Sequence, residues 1–454
     1  MIAALHKTSK PLDRLIAGLY LLLLAVLPFS VPAQLGSHQL EMPSEPLIIV
    51  LSMLLASWYQ QHREQLSSLL RSTIGRISLL WLGWMGVCSL FSTLPFVSLK
   101  YWLVSIAHWW VFFAGFFVLA RQLPKDLFAL LSAYALSFGL VMLYAWTVHA
   151  QYDFRIDVSV LTARPFYFDH ALYSACLLLL LPIYTTWAVQ KTRKSGLSKG
   201  QRRFSIVMGL IFSTAVYLSF SRAAWLSSWL CMWFLGLTLL FRMGFRTWII
   251  LIGVGLLSLT LLWSPVREQL KNNQAESKNH GFLNQVISTA NISTDVSNLE
   301  RLNRYKCALR MFSDRPLLGF GPGTYQFAYL PYQRPEEMTR ISVSDTGPHG
   351  PGRGGGAHSE YLQALSEMGL PGLLIWLGLV LAGFHAGLTI FRKTATKSHK
   401  WLAMGVLLGL MTYFIHGLFN NFLHHGKLAV LVWILLAALS VLQQKITAPK
   451  PGPD

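Results

Sequence analysis

Residues His358 to Gly372 read HSEYLQALSEMGLPG, and this stretch decides how the rest of the chain is organised. A Gly-rich segment precedes the histidine, and apolar residues at positions 361, 362, 365 and 368 follow it at helical spacing. Gly369, Pro371 and Gly372 then interrupt the pattern before a new apolar helix begins. The stretch therefore predicts a histidine at the foot of a membrane helix.

The composition is that of a polytopic membrane protein. Of the 454 residues, 53% are hydrophobic and only 13% are charged, whereas about 25% of the residues of a soluble domain are charged. The net charge of +19 is not read as a signal for nucleic acid, because cytoplasmic loops of membrane proteins are rich in Lys and Arg. The four cysteines have no paired spacing, so neither a disulfide framework nor a zinc site is predicted.

Apolar runs predict an all-α, polytopic transmembrane bundle of about 12 spans with one long, partly helical periplasmic loop. A single charge, Arg222, interrupts a long apolar run, and the chain is expected to turn there into a helical hairpin. The predicted spans are Leu15–Val31, Pro46–Trp58, Ile77–Phe91, Tyr101–Ala120, Leu127–Val148, Ala171–Val189, Phe204–Phe220, Ala223–Phe241, Trp248–Trp263, Leu370–Phe391, Trp401–Leu418 and Leu428–Leu442.

The distribution of Lys and Arg predicts the topology. With the N-terminus in the cytoplasm, 22 of the 38 basic residues fall on cytoplasmic loops and 5 on short loops of the opposite side. The other 11 lie in one long segment, which is exempt from this rule. We expect N-terminal transmembrane helices (1–263), a large periplasmic loop (264–369), C-terminal transmembrane helices (370–442) and a cytoplasmic tail (443–454). Both termini are then cytoplasmic.

Three arginines on the outer side are candidate ligands for an anion. Arg222 lies at membrane depth, where an arginine is costly and is usually kept for function. Arg301 and Arg304 lie one turn apart on a predicted amphipathic helix, Asn298–Ser313. Guanidinium groups bind phosphate oxygens in pairs, so these arginines match a phosphate-rich ligand. Arg164 precedes a span on the same side and is either a further ligand or an ordinary loop residue.

His358 is the candidate for proton transfer, because the usual pKa of histidine is near 6.5. His349 is its rival in the same loop. His416, His424 and His425 lie near the outer end of the last hairpin, but they lack the spacing of metal ligands, so no metal is predicted. Gly319 to Gly323 resembles a dinucleotide-binding loop only superficially, since no βαβ unit surrounds it.

These motifs together resemble the superfamily of O-antigen ligases and Wzy-type polymerases, which are GT-C-like glycosyltransferases of the bacterial inner membrane. From His358 to Gly372 the chain matches the ligase pattern of His, then Asn, Ser or Gln, nine residues, Gly, two residues and Gly, Thr or Tyr. Ser221-Arg222 resembles the family's membrane-embedded Ser-Arg. Arg301 and the turn Pro316-Leu-Leu-Gly-Phe-Gly resemble its arginine helix and following turn, although Tyr305 stands where Trp is usual. This alignment favours Arg301 over Arg304.

The resemblance implies a multi-pass inner-membrane transferase with an undecaprenyl-diphosphate-linked glycan as donor and lipid A-core or another glycan as acceptor. It implies periplasmic, inverting chemistry without cofactor or metal, and no nucleic-acid partner. Arg222 and Arg301 would act on the diphosphate as catalytic residues, with Arg164, Arg304 and His349 as further binding residues. His358 would act as general base or orient the acceptor hydroxyl.

Other functions share part of this pattern. A Wzy-type polymerase and a protein O-oligosaccharyltransferase differ from a ligase only in the acceptor. The compact C-terminal region favours a ligase, because no domain for a protein acceptor follows the last span. A lipid or glycan transporter would also place an arginine in the membrane, but no inverted halves are visible and the polar residues concentrate in one loop.

Overall fold

The structure is a computed structural model that describes residues 11–35, 38–120, 123, 125–190, 196–261, 296–339, 342 and 355–447. His349 and the remainder of the Gly-rich segment before residue 355 lie outside the described residues. The part of the predicted loop between residues 267 and 295 lies outside them too.

The described residues are mainly helical. The α-helices are α1 (Pro11–Val26), α2 (Ser44–Gln61), α3 (Arg63–Leu69), α4 (Thr73–Leu90), α5 (Pro95–His108), α6 (Phe116–Leu119), α7 (Lys125–Ala150), α8 (His170–Val189), α9 (Lys199–Leu218), α10 (Arg222–Phe241), α11 (Phe245–Leu261), α12 (Val296–Asp314), α13 (Tyr325–Ala328), α14 (Glu360–Lys393), α15 (Lys397–His416) and α16 (Gly426–Thr447). A π-helical segment, Trp109–Gly115, joins α5 to α6.

The helices form a multi-pass membrane bundle, as predicted. Eight helical segments among the described residues are long and apolar enough to cross a membrane. The predicted total of about 12 spans is not confirmed. Most of the other predicted spans are nevertheless continuous helices, and the short predicted span Pro46–Trp58 lies within the 18-residue helix α2.

A short β-hairpin accompanies the helices and leaves the predicted all-α class unchanged. Strands β1 (Val31–Leu35) and β2 (His38–Met42) pair antiparallel, with Val31 opposite Met42. Each strand has only five residues, which is too short for alternation of apolar residues to stand out in the sequence. The hairpin follows α1 at the end of the bundle where Lys427 Nζ donates a 2.6 Å hydrogen bond to the carbonyl of Ser30.

Helices α8 and α15 pack closely against each other in the core, beside the buried helix α16. A Cβ atom at Gly409 would lie 2.5 Å from the carbonyl oxygen of Leu179, so the two backbones approach too closely for any side chain. One turn further along, Thr412 Oγ1 donates a 3.1 Å hydrogen bond to the carbonyl of Leu178. Small residues and hydroxyl hydrogen bonds of this kind commonly join helices within a membrane.

Two sequence predictions about local structure are confirmed. Helix α9 ends at Leu218 and α10 begins at Arg222, so the chain does turn just before the arginine. Phe220, at the turn, has a left-handed φ of 48°. The amphipathic helix predicted over Asn298–Ser313 is α12, which extends it by two residues at its start and by one at its end.

Helix α14 is broken at Gly369, and a turn formed by residues 316–323 lies on the break. Gly369 has a φ of 67° inside the helix. The backbone N–H of the next residue, Leu370, donates a 2.8 Å hydrogen bond to the carbonyl of Pro316. A Cβ atom at Gly369 would lie 2.2 Å from the carbonyl oxygen of Leu317. Only glycine satisfies both the conformation and the close contact.

The buried carboxylate of Glu367 forms a second connection between α14 and the chain at residues 323–325. Its two oxygens accept 2.9 Å hydrogen bonds from the backbone N–H groups of Gly323 and Tyr325 and a 2.6 Å bond from Gln363 Nε2. The carboxylate thereby satisfies backbone donors that would otherwise be buried without partners. The turn is fixed to α14 from both sides, and α12, which leads into the turn, is positioned with it.

We predict that Gly369→Ala destabilises the protein. An L-residue in the left-handed conformation costs about 1–2 kcal/mol, and the added methyl group would collide with the turn. Gly378→Ala in the same helix is the control, because its Cβ would meet only Ile77 Cγ2 at an ordinary 3.8 Å. Thermal unfolding in detergent should show a lower midpoint for Gly369→Ala alone; equal midpoints for the two variants would contradict the close contact.

Candidate functional site

Several loops meet at one end of the bundle and surround the start of α14. The carbonyl of Phe320 accepts hydrogen bonds from the N–H of Thr93 (2.9 Å) and from Ser92 Oγ (3.1 Å), which joins the α4–α5 loop to the turn. Tyr305 Oη on α12 donates to the carbonyls of Leu418 (2.6 Å) and His358 (3.3 Å). These bonds place α12 across the end of the bundle, above the loop that follows α15.

The backbone around His358 is held in a strained conformation. His358 has a φ of 53°, which is uncommon for a residue other than glycine. Its N–H donates a 3.1 Å hydrogen bond to Asn421 Oδ1, and the N–H of Ala357 donates a 2.8 Å bond to Gln363 Oε1. Such strain persists only where surrounding contacts impose it, and it is frequent at functional sites.

The imidazole of His358 is half-buried and is held in its neutral form. Burial, together with the positive charges of Arg301 and Arg304, lowers the pKa of His358 to about 3, and the negative charge of Glu300 opposes this shift. A neutral imidazole carries one nitrogen that accepts a hydrogen bond. His358 therefore offers an acceptor to a hydroxyl group at neutral pH.

Arg301 lies at the centre of the site. Its Nη1 atom donates a 3.3 Å hydrogen bond to Asn298 Oδ1, within α12. The guanidinium group interacts electrostatically with His358, with Asp169 and His170 at the start of α8, and with His416 at the end of α15. Helix α12 thus places a positive charge near the start of α8, the start of α14 and the end of α15.

Arg222 belongs to the same site through His170. The charges of Arg222 and Arg301 both act on the His170 imidazole. Arg222 is the first residue of α10 and is half-buried. The arginine of the α9–α10 turn and the arginine of α12 therefore both lie within electrostatic range of one histidine, although 79 positions separate them in the sequence.

Arg304 has different surroundings from Arg301. Its Nε atom donates a 2.8 Å hydrogen bond to Glu300 Oε1, and its guanidinium lies 4.0 Å from the centre of the Tyr329 ring. Only 2% of Arg304 is exposed. Glu300 also accepts a 2.7 Å bond from Thr339 Oγ1. Arg304 is thus part of a buried ion pair that holds the loop region together, although its charge reaches His358.

Arg164 lies at the edge of the site. It is exposed, and its Nε atom donates a 2.9 Å hydrogen bond to the carbonyl of Phe168. Its charge reaches Asp169, the N-cap of α8, whose side chain accepts bonds from Ala171 and Leu172. Burial raises the pKa of Asp169, while these hydrogen bonds and the charges of Arg301 and Arg164 oppose the shift.

The structure adds residues that the sequence reasoning did not select as site residues. Asn421 and Gln363 hold the backbone at His358, and His170 and His416 face Arg301. In the sequence, the polar pair Asn420-Asn421 between two apolar runs could have indicated a site residue. Gln363 could not have been identified in this way, because its position is an ordinary polar position of an amphipathic helix. Within the described ranges, no group of three or more His, Cys, Asp or Glu side chains is arranged to hold a metal ion.

Fold and site together define a multi-pass helical membrane protein with a cationic site at one end of the bundle. Residues 207–377 match the family model described as O-antigen ligase, which confirms the family that the motifs indicate. The matched region, from α9 to the first part of α14, is thus a domain of the family of O-antigen ligases and Wzy-type polymerases. It contains Arg222, Arg301 and His358, whereas His170 and His416 lie outside it. No curated protein matches the chain.

We predict that Arg304→Ala and Arg301→Ala have different effects on stability. Removing one partner of a buried ion pair costs about 3–5 kcal/mol, because the other charge remains buried without compensation. Arg304→Ala should therefore lower the midpoint of thermal unfolding markedly, and Arg301→Ala, at the half-buried position, should lower it little. Equal losses of stability would contradict the division of roles between the two arginines.

The pKa of His358 predicts a specific dependence of stability on pH. Because this pKa is about 3 in the folded protein and about 6.5 in the unfolded chain, the unfolded chain binds more protons between these values. The contribution of His358 is thus fully present above pH 6.5 and is lost as the pH falls toward 3. On acidification from pH 7 to 4, His358→Asn should lose less thermal stability than the wild type. Parallel curves for the two proteins would disprove the shift.

Proposed function

We propose that this protein is a glycosyltransferase of the O-antigen ligase type. It moves a glycan from undecaprenyl diphosphate to lipid A-core, on the periplasmic face of the bacterial inner membrane, without a metal and with inversion. The observation that carries the proposal is the joint action of Arg222 and Arg301 on His170, with His358 in range of Arg301. The family of the matched region, residues 207–377, supports the same class of reaction.

Arg222 and Arg301 bind the diphosphate of the donor. Two guanidinium groups can hold several phosphate oxygens at once through charge-assisted hydrogen bonds. As the glycosidic bond breaks, negative charge grows on the leaving diphosphate, and fixed positive charges lower the energy of that state. Arg164 adds positive charge at the rim. Arg304 contributes through its charge and through the buried ion pair that positions α12.

His358 acts on the acceptor. The acceptor hydroxyl oxygen forms a bond to the anomeric carbon, the bond from that carbon to the diphosphate oxygen breaks, and the electron pair leaves with undecaprenyl diphosphate. The hydroxyl proton passes to the neutral imidazole of His358. Because the pKa of His358 is low, its imidazole is neutral at pH 7 and has a nitrogen that can accept a proton. The negative charge of the bound diphosphate then favours the protonated form, since an opposite charge nearby raises the pKa of a histidine.

We predict that Arg222→Ala, Arg301→Ala and His358→Ala each reduce transfer by about 100-fold or more, the effect of losing one group that stabilises transition-state charge. Transfer is measured with each variant expressed in a deletion strain, from the lipopolysaccharide ladder on a gel. His385→Ala and Arg246→Ala are controls, because these residues are exposed, on α14 and α11 respectively. Near-normal ladders for Arg222→Ala or His358→Ala at wild-type protein levels would disprove the proposal.

The same strain distinguishes the ligase from its alternatives. Loss of the whole ladder with accumulation of polymerised lipid-linked glycan identifies a ligase. A band with a single repeat identifies a polymerase, and an unchanged ladder with loss of glycoproteins identifies a protein transferase. The transporter alternative predicts unligated glycan on the cytoplasmic face only.

A further inference from the structure

His416 is a buried polar side chain whose ring nitrogens have no hydrogen-bond partner among the described residues. It is the last residue of α15, and its exposed fraction is 0%. Its backbone carbonyl accepts bonds from the N–H groups of Phe419 (3.0 Å) and Asn420 (3.1 Å), but neither Nδ1 nor Nε2 is engaged. A buried polar atom left without a partner costs about 1–3 kcal/mol, so the absence of partners at both nitrogens points to a ligand.

His170 shows the same feature across the site. It begins α8, and its Nδ1 atom is also buried without a hydrogen-bond partner among the described residues. The His170 and His416 imidazoles interact electrostatically with each other, and both interact with Arg301. Two histidines from different helices thus have unengaged ring nitrogens within electrostatic range of Arg301.

The charges around the two histidines decide what kind of ligand fits. Arg301 acts on both rings and Arg222 acts on His170, so a metal cation placed between the rings would be repelled. An anion would be attracted. An imidazole carries at least one N–H donor in either protonation state, and an oxyanion accepts hydrogen bonds from such donors. The arrangement therefore suits phosphate oxygens.

We propose that His416 and His170 form the inner wall of the anion site and donate N–H hydrogen bonds to oxygens of a prenyl-linked diphosphate. Arg222 and Arg301 neutralise the charge of this group, and the two histidines fix its position. The identification of the anion as a lipid diphosphate rests on the proposed function; the contact of His416 with an anion rests on its two buried, unpartnered ring nitrogens and on the charge of Arg301 that acts on its ring. His416 is a binding residue in this account, and His358 remains the group that acts on the acceptor.

The test is the binding of farnesyl diphosphate to the purified full-length protein in detergent, measured by calorimetry. His416→Phe keeps the ring volume and removes both nitrogens, whereas His416→Gln keeps a donor. Loss of a hydrogen bond to a charged group should weaken binding about tenfold in His416→Phe, and His416→Gln should stay within about threefold of the wild type. His108→Phe is the matched control. His108 is buried in α5, its Nδ1 bonds to the carbonyl of Val104 at 2.8 Å, and its Nε2 is likewise buried without a partner among the described residues, so this variant tests whether one unpartnered ring nitrogen by itself affects binding. Its affinity should equal that of the wild type.

Binding measurements with inorganic pyrophosphate and farnesyl monophosphate distinguish contacts with the diphosphate group from contacts with the prenyl chain. An equal loss for farnesyl diphosphate and pyrophosphate in His416→Phe supports contact with the diphosphate. A loss confined to the farnesyl compounds overturns the inference, because His416 would then contact the prenyl chain. If His416→Phe does not fold, His416→Leu replaces it, and equal affinities of His416→Leu and His416→Gln overturn the inference.

Two patterns distinguish a failure of this inference from a failure of the proposed function. Wild-type affinity in His416→Phe, with binding lost in Arg301→Ala, overturns the role of His416 and leaves the transferase proposal intact. Wild-type affinity in Arg222→Ala and Arg301→Ala as well overturns both, since no cationic diphosphate site would then exist.

Discussion

The contact between the turn at residues 316–323 and the break in α14 is the constraint on which the site depends. Gly369 opens the helix with a φ of 67°, and the carbonyl of Pro316 binds the N–H group of Leu370. Since α12 runs directly into this turn, the same contact determines where Arg301 lies. Together with the bond from Tyr305 to the carbonyl of His358, it fixes the arginine helix relative to His358. A charge in the wrong place cannot stabilise a leaving group.

The two arginines of α12 have different roles: Arg304 stabilises the structure, and Arg301 belongs to the candidate site. Arg304 forms a buried ion pair with Glu300, which helps to hold the amphipathic helix α12 in place. Arg301, three positions earlier, acts electrostatically on the histidines at the start of α8 and at the end of α15. Positions three apart lie on the same face of a helix, about one turn from each other, so the two arginines differ in their partners along that face. One helix therefore both anchors the loop region and supplies a cation to the site.

Local patterns predicted much of this structure from the sequence. The turn before Arg222 follows from one charge in an apolar run, and α12 follows from its amphipathic spacing. Gly369, Pro371 and Gly372, which interrupt the helical pattern, predicted the break in α14. The side of the membrane that the site faces follows from loop charges alone and stays a prediction. The spans were harder to count, since helices such as α9 carry several charges at one end and fall short of a clear hydropathy signal.

Contacts between distant residues were not predictable from one sequence. The bond from His358 to Asn421 joins positions 63 residues apart, and the bond from Tyr325 to Glu367 joins positions 42 apart. Glu367 reads as an ordinary polar position on an amphipathic helix, and only the folded chain shows that it satisfies a buried turn. The family resemblance favours Arg301 over Arg304, but the partners that bury Arg304, Glu300 and Tyr329, are seen only in the folded chain.

The most direct test of the central claim is an experimental structure of the protein with an undecaprenyl-diphosphate-linked glycan bound, determined by electron cryomicroscopy in a lipid nanodisc. The account predicts density for the diphosphate between Arg222 and Arg301, with the anomeric carbon on the side of His358. Diphosphate density elsewhere on the molecule, away from both arginines, would contradict it.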